Sequence, residues 1–111
     1  MYFFTFEAVP RHDSTPANEA GGAYVNCWVR AGSWIEAELK ARADIGHSGW
    51  LISRKDDQEW VVAADYDDRP DLLEYYRSAV KDGACYVYHT WPLGLDEEGD
   101  DEDSRDDAQI N

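Results

Sequence analysis

Apolar and polar positions alternate with a period of two in some stretches of this chain and near 3.6 in others, and that change marks its elements. The stretch around which the rest is organised runs from Ala23 to Gly46. Over residues 23–31, β-branched and aromatic residues predict a strand, with Val25, Cys27 and Val29 on one face and Tyr24, Asn26, Trp28 and Arg30 on the other. Ser33-Trp34-Ile35-Glu36 then matches the S-x-x-E capping box, in which each side chain satisfies a free backbone N–H, and so opens a helix. Gly46 is expected to close it as a left-handed cap. Ile35, Leu39 and Ala43 make its apolar stripe, widened by Ala37, Ala41 and Ile45, while Glu36, Glu38, Lys40, Arg42 and Asp44 take the wet side. Val25, Cys27 and Val29 are the surface on which this helix is expected to lie.

In front of that unit, residues 2–8 read as a strand with Tyr2, Phe4 and Phe6 on one face and Phe3 and Thr5 on the other. Bulky groups on both faces imply that it is covered on both sides or sits at an interface. Residues 9–22 hold Pro10, Pro16, Gly21 and Gly22 among short polar residues and read as a loop with no tight-turn signal. After the first helix, 49–53 reads as a strand, Arg54 to Asp57 as a polar turn, and 59–63 as the hairpin partner. Pro70 opens a second helix with Asp68 as the expected cap; Leu72, Tyr76, Ala79 and Val80 form its stripe, and Gly83 ends it. Residues 84–90 form the last strand, and Pro92 and Gly94 stop the pattern.

The embedded β-α-β-β-α-β string resembles the ferredoxin-like, split βαβ arrangement, an α+β architecture with an antiparallel sheet and two helices on one face. That resemblance covers residues 23–90 and implies that strand 23–31 is central, flanked by 58–63 and 84–90. The N-terminal strand is then extra and goes to an edge. The open face would collect Tyr24, Trp28, Trp60 or Trp50, Tyr86 and Tyr88, with Arg30 and His89 beside them. So large an uncovered aromatic face implies a cover, and a homodimer through the sheet is the ordinary one.

Composition adds three constraints. At 111 residues, positions 1–95 are expected to form one domain with a core of its own, and 96–111 an acidic, flexible tail. Of the net charge of -14, residues 1–95 carry -6 and residues 96–111 carry -8. Such a balance argues against direct nucleic-acid binding, which draws on Lys and Arg, and leaves open a basic protein partner, divalent cations or plain solubility. The sequence holds no apolar stretch long enough for a membrane span and no basic leader, so a cytoplasmic location and reduced thiols are expected.

Candidate chemistry is sparse. His12, His47 and His89 lack the spacing of a metal site, and Cys27 and Cys85 read as small buried residues pointing toward the helices. Asp65, Asp67, Asp68 and Asp71 form the densest carboxylate group before the tail, but Pro70 stands where a calcium loop needs its glycine. Asp100, Asp101, Glu102 and Asp103 belong to the tail. No cofactor or catalytic set is expected. The reading is a small protein-binding module, in one form an acidic immunity- or antitoxin-like inhibitor of a basic partner. The alternative is a small enzyme or ligand-binding domain with an aromatic pocket on the sheet face or at a dimer interface.

Overall fold

The structure, a computed structural model, describes residues 1–12 and 20–92. In chain order its elements are β1 (Tyr2–Pro10), β2 (Ala20–Val29), α1 (Trp34–His47), β3 (Trp50–Trp60), a short 3-10 turn (Ala63–Tyr66), α2 (Pro70–Asp82) and β4 (Ala84–Pro92). The four strands form one sheet in the order β3-β1-β2-β4, antiparallel at every step. The expected α+β class with an antiparallel sheet and two helices is therefore present. The strand order and the placing of the helices depart from the split βαβ arrangement in three ways, each with a local cause.

First, β1 is not an edge strand but lies inside the sheet, paired with β2 from Tyr2↔Val29 to Ala8↔Ala23. Its double-faced apolar content requires this, since Phe4 and Phe6 are fully buried on one side while Phe3 packs on the other. Second, Arg54 to Asp57 does not turn. The segment contains no Gly or Asn to take a hairpin turn's left-handed positions, and the chain continues as one strand along β1 through two bulges. Its charges fall on an outer strand, where they discourage pairing with another chain, and Arg54 holds Glu7 across the ladder at 2.9 Å. Third, the helices lie on opposite faces. Ala37, Ala41 and Ile45 of α1 pack with Phe4, Phe6, Val25, Cys27 and Val29. Leu72, Tyr75, Tyr76 and Ala79 of α2 pack with Phe3, Trp28, Cys85 and Val87.

The seating of α1 also differs from the hydrophobic pattern. Ala37, Ala41 and Ile45 are fully buried, whereas Ile35 and Leu39 are 74% and 64% exposed. The sheet beneath is already filled by Phe4 and Phe6, so the helix approaches on its small side chains. Its rotation is fixed by polar and aromatic edges as well: Trp34 packs edge-on against Tyr2 and Phe4, Tyr86 donates to Asp44, and Lys55 reaches Glu38 at 2.8 Å. A stripe scored by hydrophobicity alone cannot see that the partner surface wants alanine. Ala41→Leu is accordingly expected to cost about 1–3 kcal/mol through overpacking, whereas Leu39→Gln should stay within about 0.5 kcal/mol of the parent. Urea unfolding of the two variants checks this, and equal losses would contradict the seating.

The helix ends follow their sequence signals with small shifts. The Ser33 hydroxyl accepts from the Glu36 N–H at 3.2 Å, and the Glu36 carboxylate accepts from the Gly32 N–H at 3.0 Å. Gly46 stays helical; α1 runs to His47, Ser48 caps it, and the left-handed residue is Gly49 with φ 97°. At α2 the cap position is Arg69 rather than Asp68, with Pro70 at the first turn, and Gly83 closes the helix at φ 95°.

Candidate functional site

The pairing of β2 with β4 decides which aromatic residues share a face. Cys27 lies opposite Tyr86 and Trp28 opposite Cys85. Because side chains alternate, this register is one residue away from the one that would gather all the aromatics on a single side. Tyr86 and Tyr88 therefore face α1, where Tyr86 bonds Asp44 and Tyr88 stacks on Trp50 at 5.7 Å between centroids. Trp28 faces α2 and is 1% exposed. Tyr24 and His89 are paired on the same side as Trp28, in the part of the sheet beyond α2. Tyr24 lies 5.3 Å from the Trp91 ring, and His89 is 3.5 Å from the Asn26 amide. Arg30 follows the end of β2, where its backbone N–H donates to the Gly83 carbonyl. The expected single open aromatic face is thus divided between two sides.

On the α2 side the sheet, the 3-10 turn and the start of α2 enclose an open cleft of about 570 Å³. Phe3 and Asn26 lie on its floor with Trp28 behind them; Glu59 stands on one side and Asp65 with Tyr66 on the other, while Trp60 borders the cleft at the strand end with its ring 5.0 Å from Tyr2, on the α1 side. Phe3 and Trp28 lie 5.1 Å apart, and the Trp28 indole N–H donates to the Tyr66 hydroxyl at 3.0 Å. That bond uses the Tyr66 oxygen as acceptor and leaves its hydrogen to donate. Trp60, at the end of β3, is 58% exposed. The walls follow from alternation: Asp57 is opposite Thr5 and Glu59 opposite Phe3, so both carboxylates stand on the α2 face. Asp65 is fixed by accepting from the Val62 N–H at 2.8 Å.

These carboxylates crowd one another. Glu59 sits against Asp57, close enough to share a proton, and Asp65 adds repulsion, so the Glu59 carboxyl is held above the usual range. Tyr66 is likewise pushed up, first by burial and then by the negative charges of Glu59 and Asp65. Among the described residues, no Lys, Arg or His lies within ion-pair distance of Asp57, Glu59 or Asp65. From residue 56 to residue 74 the sequence carries eight acids and a single base, Arg69, whose side chain is taken by Asp71 at 3.2 Å.

Of the acidic residues singled out in the sequence, Asp65 lines the cleft, Asp67 lines a shallower hollow beneath α2, Asp68 is exposed, and Asp71 pairs with Arg69. Asp100, Asp101, Glu102 and Asp103 lie outside the described residues. The sequence reading passed over Phe3, Glu59 and Tyr66. A tyrosine set among aspartates, Asp65-Tyr66-Asp67, was the available sign that part of that charged loop turns inward. Cys27 points to α1 and Cys85 to α2, so they do not meet, and burial pushes both thiols up, away from nucleophilic use. Among the described residues, no three His, Cys, Asp or Glu side chains come together to hold a metal, and no helix is long and apolar enough to cross a membrane. No protein-family model matches the chain, nor does any curated protein or solved structure.

Proposed function

We propose that this chain is a small binding module for a basic protein, acting through the α2 side of its sheet. The observation that carries the reading is Glu59 and Asp65 lining one cleft, with Asp57 against Glu59 beside it and no cationic partner among the described residues. Uncompensated like charges cost stability in the free protein, and a cationic partner relieves that cost on binding. The acidic run from 56 to 74 extends the same field along β3 and into α2, which speeds the approach of a basic surface and disfavours an acidic one. An inhibitor of a basic nuclease or toxin, of the immunity or antitoxin kind, is one concrete form of such a module.

The test is capture from host extract on the immobilised chain beside a variant carrying Asp57→Asn, Glu59→Gln and Asp65→Asn, at low and moderate salt. A basic protein retained by the parent, released by added salt and lost from the variant is the expected result. Equal retention on both would overturn the reading, and so would a retained set without basic members.

A further inference from the structure

We propose that two copies of the chain pair through the free edge of β4, antiparallel about a two-fold axis, so that the acidic tail of each leaves beside a basic cluster of the other. This goes beyond the basic-partner reading and does not depend on it, since the cleft lies toward β3, at the far edge of the sheet. The first observation is a difference between the two outer strands. β3 holds Arg54, Lys55, Asp56, Asp57 and Glu59 and is broken by two bulges, and both features keep a further strand away. β4 has no such guard. Its residues Ala84–Pro92 include no Asp, Glu, Lys or Arg, and its ladder with β2 runs unbroken from Ala84 to Trp91.

The Arg30 N–H donates to the Gly83 carbonyl at 2.9 Å, one step beyond the Val29↔Ala84 pair. Alternation then turns the N–H and C=O of Cys85, Val87 and His89 toward β2, and those of Ala84, Tyr86, Tyr88 and Thr90 outward. Among the described residues no backbone bond is made on that outer side. Pro92 has no N–H to offer, so the favoured register sets Ala84 against Thr90 and Tyr86 against Tyr88, with Val87 on the axis. Charge then names the occupant as a second copy. The Arg30 guanidinium and the Lys40 Nζ lie beside Gly83, where Lys40 donates to the same carbonyl at 3.4 Å, and Lys81 stands in the last turn of α2 just before it. None of the three is within ion-pair distance of a carboxylate among the described residues. A strand length of about 30 Å separates this cluster from the chain's own tail. In the pair, Trp91 of one copy comes opposite Gly83 of the other, and residues 96–111, with their charge of -8, follow closely.

Sedimentation velocity of the full chain across a concentration series measures the pairing, and carbodiimide coupling in a mixture of unlabelled and isotope-labelled chains shows which copy each tail touches. A concentration-dependent species of twice the chain mass is expected, with tail carboxylates coupled to Lys40 or Lys81 of the other copy. Thr90 is exposed, and Thr90→Pro removes an outward N–H but no bond to β2. That variant should keep the parent's urea midpoint at concentrations where both are monomeric, while its dimer affinity falls about tenfold or more. Arg30→Gln with Lys81→Gln should weaken the dimer by about tenfold. A chain that stays monomeric throughout, with coupling confined to single chains, would mean that the tail covers its own cluster, and the proposal is then wrong. A dimer whose affinity is unchanged in either variant overturns it equally.

Discussion

Trp28→Ala is expected to lower the free energy of unfolding by about 3–5 kcal/mol and to release α2 before the rest of the fold. Trp28 is the largest fully buried side chain. Its ring lies 5.1 Å from Phe3 and 5.3 Å from Tyr75, and its N–H is the donor that the Tyr66 hydroxyl accepts. Truncation leaves both a cavity and a tyrosine without its donor, two costs that add in one place. A domain of this size has a total stability on the order of 5–15 kcal/mol, so the loss is a large fraction of the whole. Because every one of these contacts is on the α2 side, the amides of residues 70–82 should lose hydrogen-exchange protection well before those of α1. Trp28→Phe, which keeps most of the packing, should lose less. Urea unfolding gives the magnitude and native-state exchange gives the location. Equal loosening of both helices would contradict their separation by the sheet.

How much of this was legible in the sequence follows from which forces act locally. The strand at 23–31, both helices, the Ser33–Glu36 cap and the Gly83 stop depend on neighbours a few residues apart, and they were readable. The double-sided character of β1 was readable too, because Phe3 beside Phe4 and Phe6 leaves no face for water. Its consequence, a central position, was missed: residues 9–22 carry no tight-turn motif, and composition does not say which strands a loop joins. The absence of Gly and Asn from Arg54–Asp57 was written in the sequence and was outweighed by its polarity. The register of β4 on β2 was not legible. Tyr86 and Cys85 are both acceptable in a core, so either could have faced α1, and the structure places Tyr86 there, where Asp44 accepts its hydroxyl hydrogen. That one-residue choice divided the expected aromatic face and, with it, half of the candidate site. What formed instead is the cleft around Phe3, Glu59 and Tyr66, brought together from β1, β3 and the 3-10 turn.

Phe6→Ala is the matching change on the other side, again expected to cost about 3–5 kcal/mol, with α1 as the element released. Phe6 is fully buried, lies 5.6 Å from Phe4 between ring centroids, and carries the Arg42 guanidinium 5.1 Å above its ring. Of the α1 residues in this cluster, Ala37, Ala41 and Ile45 with Trp34 beside them, the two alanines have no side-chain length with which to follow a receding floor, so part of the cavity stays open unless the helix itself moves. Arg42 also loses its platform, a smaller loss of about 0.5–1 kcal/mol for an exposed cation. Exchange protection should therefore fall first over residues 34–47, while α2 keeps its own. The double variant then asks whether the sheet couples the two cores. Phe6 and Trp28 touch different clusters, so their costs should add to within about 0.5 kcal/mol. The sum, about 6–10 kcal/mol, is enough to leave a domain of ordinary stability unfolded in water. A double variant that stays folded, with a urea midpoint close to that of either single one, would mean that both side chains serve one common core, and the two-faced architecture would not survive that result.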